Sequence, residues 1–115
     1  MDSVPQTPDS QTRNDATARI VAYVTAGWPR LGEPEVRYHG KYCYVAAKLP
    51  GHREPTPILR LRWQGDPGNW AIGVYKASTG HYTETELPAA FGGAEGTPEQ
   101  GIDETFILYA GPRIE

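Results

Sequence analysis

The chain is expected to fold as α+β, a two-layer sandwich in which a five-stranded antiparallel meander sheet carries an N-terminal and a C-terminal helix on one face. Three observations predict this. Ile58 to Ala77, ILRLRWQGDPGNWAIGVYKA, alternates apolar and polar residues at the two-residue period of a strand on both sides of a Gly/Pro/Asn turn. Apolar residues at helical spacing occur instead near the two ends, in DATARIVAYVTA and in the stretch after Thr97. The connections are short, so each strand is expected beside its neighbour in sequence.

Residues 1–13 are mostly Pro, Ser, Thr, Gln and Asp with little to bury, and a disordered tail is expected there. From about Asp15 to Ala26, Ile20, Val21 and Val24 form the apolar side of a short helix, with Ala18 and Ala22 beside them. Gly27 is its expected stop, Trp28 is placed to fold back on Tyr23, and Pro29 bars continuation. PRLGEP then leads to a hairpin of Glu35 to His39 and Lys41 to Leu49. A His39-Gly40 loop would set Tyr38 opposite Lys41, Arg37 opposite Tyr42 and Val36 opposite Cys43. One face then holds Val36, Tyr38, Cys43, Val45, Ala47 and Leu49 for the core, and the other Arg37, Tyr42, Tyr44, Ala46 and Lys48. Cys43 reads as a small buried hydrophobe.

PGHREPTP, residues 50–57, is a Pro-rich loop into the central hairpin. There Trp63 is expected opposite Trp70, Leu61 opposite Ile72 and Leu59 opposite Val74, which puts both apolar sets on one face. On the other face Arg60 meets Gly73 and Arg62 meets Ala71. A long cation beside an almost absent side chain describes a basic hollow, which either the arginine itself covers or a ligand fills. Pro67, with Gly65, Gly68 and Asn69, supplies the turn. After Ser78-Thr79-Gly80, His81 to Leu87 alternates as a fifth strand. Thr85 is expected by Val74 and Leu87 by Ile72, with Tyr82, Glu84 and Glu86 on the face of Tyr75. PAAFGGAEG, residues 88–96, is a Gly/Ala loop. Thr97-Pro98-Glu99-Gln100 then specifies a helix start through an N-cap threonine, a proline at the first helical position and a glutamine closing a capping box. Ile102, Phe106 and Tyr109, with Thr105 between, form the buried stripe, and Gly111-Pro112 ends the helix. The domain is thus bounded at 14–112, with 113–115 a C-terminal tail.

A mass of 12.7 kDa provides one core and excludes a multi-domain enzyme. No apolar run approaches the ~20 residues that a membrane helix needs. The first 15 residues have neither a basic start nor an apolar stretch, and the single Cys43 forms no internal disulfide. A cytoplasmic protein without a membrane partner is expected. His39, His52 and His81 fall in a turn, a loop and a strand end without metal-ligand spacing, and no phosphate loop, dinucleotide fingerprint or nucleophile elbow occurs. No metal or other cofactor is therefore expected. The net charge of −3 is unevenly spread: residues 36–82 balance at +5 and residues 83–115 at −6. Such asymmetry marks either an anionic partner or charges that meet inside the fold.

Because antiparallel sheets commonly keep one solvated face, the expected binding surface is the one bearing Arg37, Tyr42, Tyr44, Lys48, Arg60, Arg62, Tyr75 and Tyr82. Aromatic platforms that stack bases, beside cations that track phosphates, suit single-stranded nucleic acid, and a non-catalytic binding module is the leading expectation. One alternative is a protein-interaction or dimerisation module, accessory or inhibitor-like, that buries these tyrosines in a homodimer. Another is a small ribonuclease. It would need His81, Glu84 or Glu86, and Arg60 or Arg62 around one phosphate, although strand parity points His81 away from both glutamates.

Overall fold

Strand parity sorts the chain into two layers. A computed structural model describes residues 7–84 and 95–113. It contains α1 (Ser10–Gly27), a 3-10 turn (Pro29–Leu31), β1 (Glu35–His39), β2 (Tyr42–Ala47), β3 (Thr56–Asp66), β4 (Asn69–Lys76), β5 (His81–Thr83), β6 (Glu95–Gly96) and α2 (Pro98–Ala110). The sheet is antiparallel in the order β1-β2-β3-β4-β5, with β6 also paired to β4. The expected α+β architecture is observed, with the sixth short strand as an addition. One core cluster joins Ile20 and Val24 of α1 and Ile102 and Phe106 of α2 to the inner-face residues Cys43, Val45, Leu59, Leu61, Trp70 and Ile72.

From Leu59 to Arg62 the central hairpin has the expected register: Leu59 pairs with Val74, Arg60 with Gly73, Leu61 with Ile72 and Arg62 with Ala71; the register then shifts, and Asp66 pairs with Asn69. The Trp63 and Trp70 rings meet with centroids 5.1 Å apart, and the hairpin closes at Asp66 and Asn69. In the turn, the Gly68 N–H donates to the Asp66 side chain at 2.8 Å. The two outer hairpins keep the expected faces but slide by two residues. Val36 pairs with Val45 and Tyr38 with Cys43, so the loop is Gly40-Lys41 and not His39-Gly40. The reason lies in the backbone: Gly40 takes φ +59°, and a glycine at the first central position is what a type II′ hairpin turn requires. On the far side Val74 pairs with Thr83 in place of Thr85, and Tyr75 with Tyr82. Leu87 and Glu86 lie outside the described residues, as does most of the 88–96 loop. Its last two residues, Glu95 and Gly96, form β6 against Ala71 and Trp70.

The first helix begins five residues before Asp15. The Asp9 side chain accepts the Thr12 N–H at 2.8 Å, an N-cap that makes residues 10–13, assigned above to a tail, the polar first turn. Its buried stripe is Ala16, Ile20 and Val24, while Ala18 and Ala22 are exposed. Trp28 packs on Phe106, centroids 5.0 Å apart, and not on Tyr23; its indole N–H donates to the Gly111 carbonyl at 3.0 Å. The Tyr23 ring instead carries the Arg113 guanidinium at 4.4 Å, so Arg113 belongs to the folded body and not to a tail. Gly27 leaves room for it, because a Cβ there would come 2.7 Å from Arg113 Cγ. Between the helices, Arg19 grips Glu99 with both ends of its guanidinium at 2.7 and 2.9 Å.

In α2 the Thr97 hydroxyl accepts the Gln100 N–H at 3.1 Å, as the cap motif requires. Ile102, Thr105 and Phe106 are buried as expected, and Glu104 is buried with them. Gly101 lets the helix lie on the sheet: a Cβ there would sit 3.2 to 3.3 Å from Leu61, Ile72 and Leu59. Cys43 is fully buried, and burial pushes its thiol up to about 12. It is a core residue.

Candidate functional site

The register puts Arg37, Tyr44, Arg60 and Gly73 in one row across the outer face of β1 to β4, with Tyr42, Arg62 and Ala71 in the row beside it. Tyr75 and Tyr82, a cross-strand pair, extend this face to β5. Seven of the eight expected surface residues therefore share one surface. Lys48 lies exposed beyond the end of β2. The tyrosines touch in series: ring centroids are 6.0 Å apart for Tyr42 and Tyr44, 5.5 Å for Tyr44 and Tyr82, and 5.2 Å for Tyr75 and Tyr82.

Tyr44 and Tyr82 meet although β3 and β4 lie between them. Three inter-strand gaps on a flat sheet span about 14 Å, so the two rings lean together over the row that contains Gly73. Beneath them the Arg60 guanidinium lies 4.3 Å from the Tyr42 ring centre and 5.2 Å from that of Tyr82. Burial, with Tyr44 alongside, raises the Tyr82 hydroxyl above its ordinary pKa.

The basic hollow expected over Gly73 and Ala71 is filled by the chain itself. Glu84 receives the Arg62 guanidinium through two hydrogen bonds of 3.0 and 3.1 Å and stands 3.6 Å from Arg60. Its Cγ would be 3.4 Å from a Cβ at position 73, so the glycine makes room for it. The paired arginine holds the Glu84 carboxyl below its ordinary pKa. Arg60 and Arg62 are thus spent on an internal contact. Glycine in a polar row signalled a close approach, but which side chain makes it is decided by the β4–β5 register.

Open space remains at the β1–β2 end, where Ala46 is the small residue in the outer row. A hollow of about 300 Å³ lies there, lined by Tyr44, Tyr82, Pro55 and Pro57, with Glu35, Arg37 and Glu54 also bordering it. A second hollow of about 420 Å³, toward His39, shares Arg37, Tyr44 and Tyr82. The Arg37 guanidinium lies 5.4 Å from the Tyr44 ring centre and the Lys41 ammonium 5.7 Å from that of Tyr42. Among the described residues, Arg37 and Lys41 make no ion pair, and the Glu35 and Glu54 side chains make neither hydrogen bond nor ion pair. Sequence reasoning missed Glu35, Glu54 and the two prolines. Glu35 shares the parity of Arg37, which could have found it, whereas the loop residues carry no such periodic signal.

The fold also sorts charge by layer. Residues 35–84 hold seven Lys/Arg against four Asp/Glu, a balance of +3, and the helix-bearing residues 7–34 and 95–113 hold four against seven, a balance of −3. His81 pairs with Lys76 and falls on the opposite sheet face from Tyr82 and Glu84, as parity required, and Glu86 lies outside the described residues. Among the described residues no group of three His, Cys, Asp or Glu could hold a metal ion, and no helix is long and apolar enough to cross a membrane. No family model, curated protein or solved structure matches the chain.

Proposed function

We propose that this chain is a non-catalytic binding module that takes single-stranded nucleic acid at the β1–β2 end of its outer sheet face. The observation that carries this reading is the pair of platforms Tyr42 and Tyr44, rings 6.0 Å apart, with Arg37 over Tyr44 and Lys41, alongside the Glu84-paired Arg60, over Tyr42; among the described residues neither Arg37 nor Lys41 is held by a carboxylate. Successive bases stack on such rings while Arg37 and Lys41 meet the phosphates, and the +3 balance of the sheet layer favours an anionic strand. The internal pairing of Arg60 and Arg62 confines the interface to this end and makes the remaining arginine–tyrosine packing its scaffold. An acid–base pair for ribonuclease chemistry finds less support, since Glu84 is engaged and His81 lies across the sheet.

Fluorescence anisotropy with a labelled oligodeoxycytidylate dodecamer tests the proposal. Binding should weaken with salt by the single-strand slope of about 0.7 per phosphate contact, and Tyr44→Ala should cost about 1–3 kcal/mol, the stacking of one base. Absence of binding at about 50 mM salt, or affinity untouched by Tyr44→Ala, would refute it.

A second reading, a protein-interaction or homodimer module, draws support from the other layer. Ile107 and Leu108 on α2 are 41% and 62% exposed, and Leu108 borders a hollow of about 310 Å³ with Val74, Tyr75 and Tyr109. Sedimentation of the free chain separates the two, because a monomer that binds the dodecamer leaves the homodimer without a role.

A further inference from the structure

We propose that the hollow over Ala46 is a base pocket that selects nucleobases bearing an exocyclic amine, adenine, cytosine and guanine, over thymine and uracil. This rests on the single-strand reading and names which strands the site prefers. The hollow, about 300 Å³, is at the small end of the range for ligand sites and is bordered by Tyr44, whose ring neighbours that of Tyr42. Its lining suits a flat ring: Tyr44 and Tyr82, their centroids 5.5 Å apart, together with Pro55 and Pro57.

The polar groups at its rim set the selectivity. Glu35 and Glu54 bring carboxylates, which only accept hydrogen bonds, and among the described residues neither has a partner. An exocyclic amine donates to them. Thymine and uracil present a carbonyl oxygen where cytosine carries its amine, and their one donor, the N3–H, sits between two carbonyl oxygens that a carboxylate facing that edge repels. Arg37 provides the complementary donors, five N–H groups beside the Tyr44 ring, for a ring nitrogen or carbonyl of the same base or for the adjoining phosphate. A pocket with acceptors and a cation both unspent thus matches a ligand with a donor edge next to acceptors, and uncharged stacking alone would need neither glutamate.

The test compares labelled dodecamers of deoxycytidylate, deoxyadenylate and thymidylate on the wild-type chain and on the double variant Glu35→Gln, Glu54→Gln. Both glutamates are exposed, so the variant retains the fold. The wild type should bind the amine-bearing strands about fivefold or more tighter than thymidylate, the discrimination of one good base contact. In the double variant this preference should fall below about twofold, because amides donate as well as accept, while thymidylate affinity holds or rises as two repelling charges go. Ribo-oligomers of C, A and U should keep the same order. Equal wild-type affinity for all three strands, or a preference that survives in the double variant, overturns the base pocket and leaves the single-strand reading intact. Failure of every strand to bind overturns both.

Discussion

Replacing Glu84 by glutamine tests whether the outer face is held by charge. The Glu84 carboxylate accepts two hydrogen bonds from Arg62 and faces Arg60, and the three side chains are 25%, 33% and 22% exposed. Hydrogen bonds to charged groups contribute about 1.5–3 kcal/mol when buried, and exposed ion pairs about 0–1 kcal/mol. A site one-quarter exposed falls between these limits. Glutamine keeps the shape and one acceptor for Arg62 but leaves two guanidinium groups side by side, so Glu84→Gln should destabilise by about 1 kcal/mol. For a domain of this size that lowers Tm by about 4–8 °C. The pH dependence gives the sign. Arg62 depresses the Glu84 carboxyl below its ordinary 4.5, so the stabilisation is complete above that value and is lost as pH falls through the lower folded-state value. Thermal melts followed by circular dichroism should therefore show a gap between wild type and variant at neutral pH that narrows below about pH 4.5. A gap as wide at about pH 3 as at neutral pH would show that shape and not charge is what Glu84 contributes, and no gap at all would remove it from the face's support.

Two further outcomes follow from buried groups. Glu104 is 1% exposed, one of its oxygens has no hydrogen-bond partner, and burial raises its carboxyl above 4.5 although Gln100 partly offsets this. Its contribution is most favourable below that value and is lost as pH rises toward the folded-state pKa, so Glu104→Gln should raise Tm at neutral pH, by about 4–8 °C for about 1 kcal/mol, and leave it unchanged near pH 4. Cys43, fully buried with its thiol pushed up to about 12, should resist iodoacetamide in the native protein and react fully in urea, as read by mass spectrometry. Rapid native labelling would contradict its place in the core.

The sequence by itself determined the side of the sheet on which each residue lies and most places where elements start and stop. Alternation in LRLRWQG and NWAIGVY sent Trp63, Trp70 and the aliphatics inward and Arg60 and Arg62 outward, alternation in YCYVAA and HYT sent Tyr44 and Tyr82 outward, and all of these are on the expected faces. It did so because a strand has a period of two, which any local stretch displays. The Thr97-Pro98 helix start was equally local. The Asp9 cap was a local feature too, but lay in a stretch without apolar residues to announce a helix. Only the tertiary structure decided where the outer hairpins lock, since a slide by two residues keeps every side chain on its face and costs the pattern nothing. That slide places Tyr82 against Tyr75 and brings Glu84 to Arg60 and Arg62. It closes the hollow expected over Gly73 and leaves open the one over Ala46, where groups from β1, from residues 54–57 at the entry to β3 and from β5 converge. Contacts across such distances along the chain have no period to betray them.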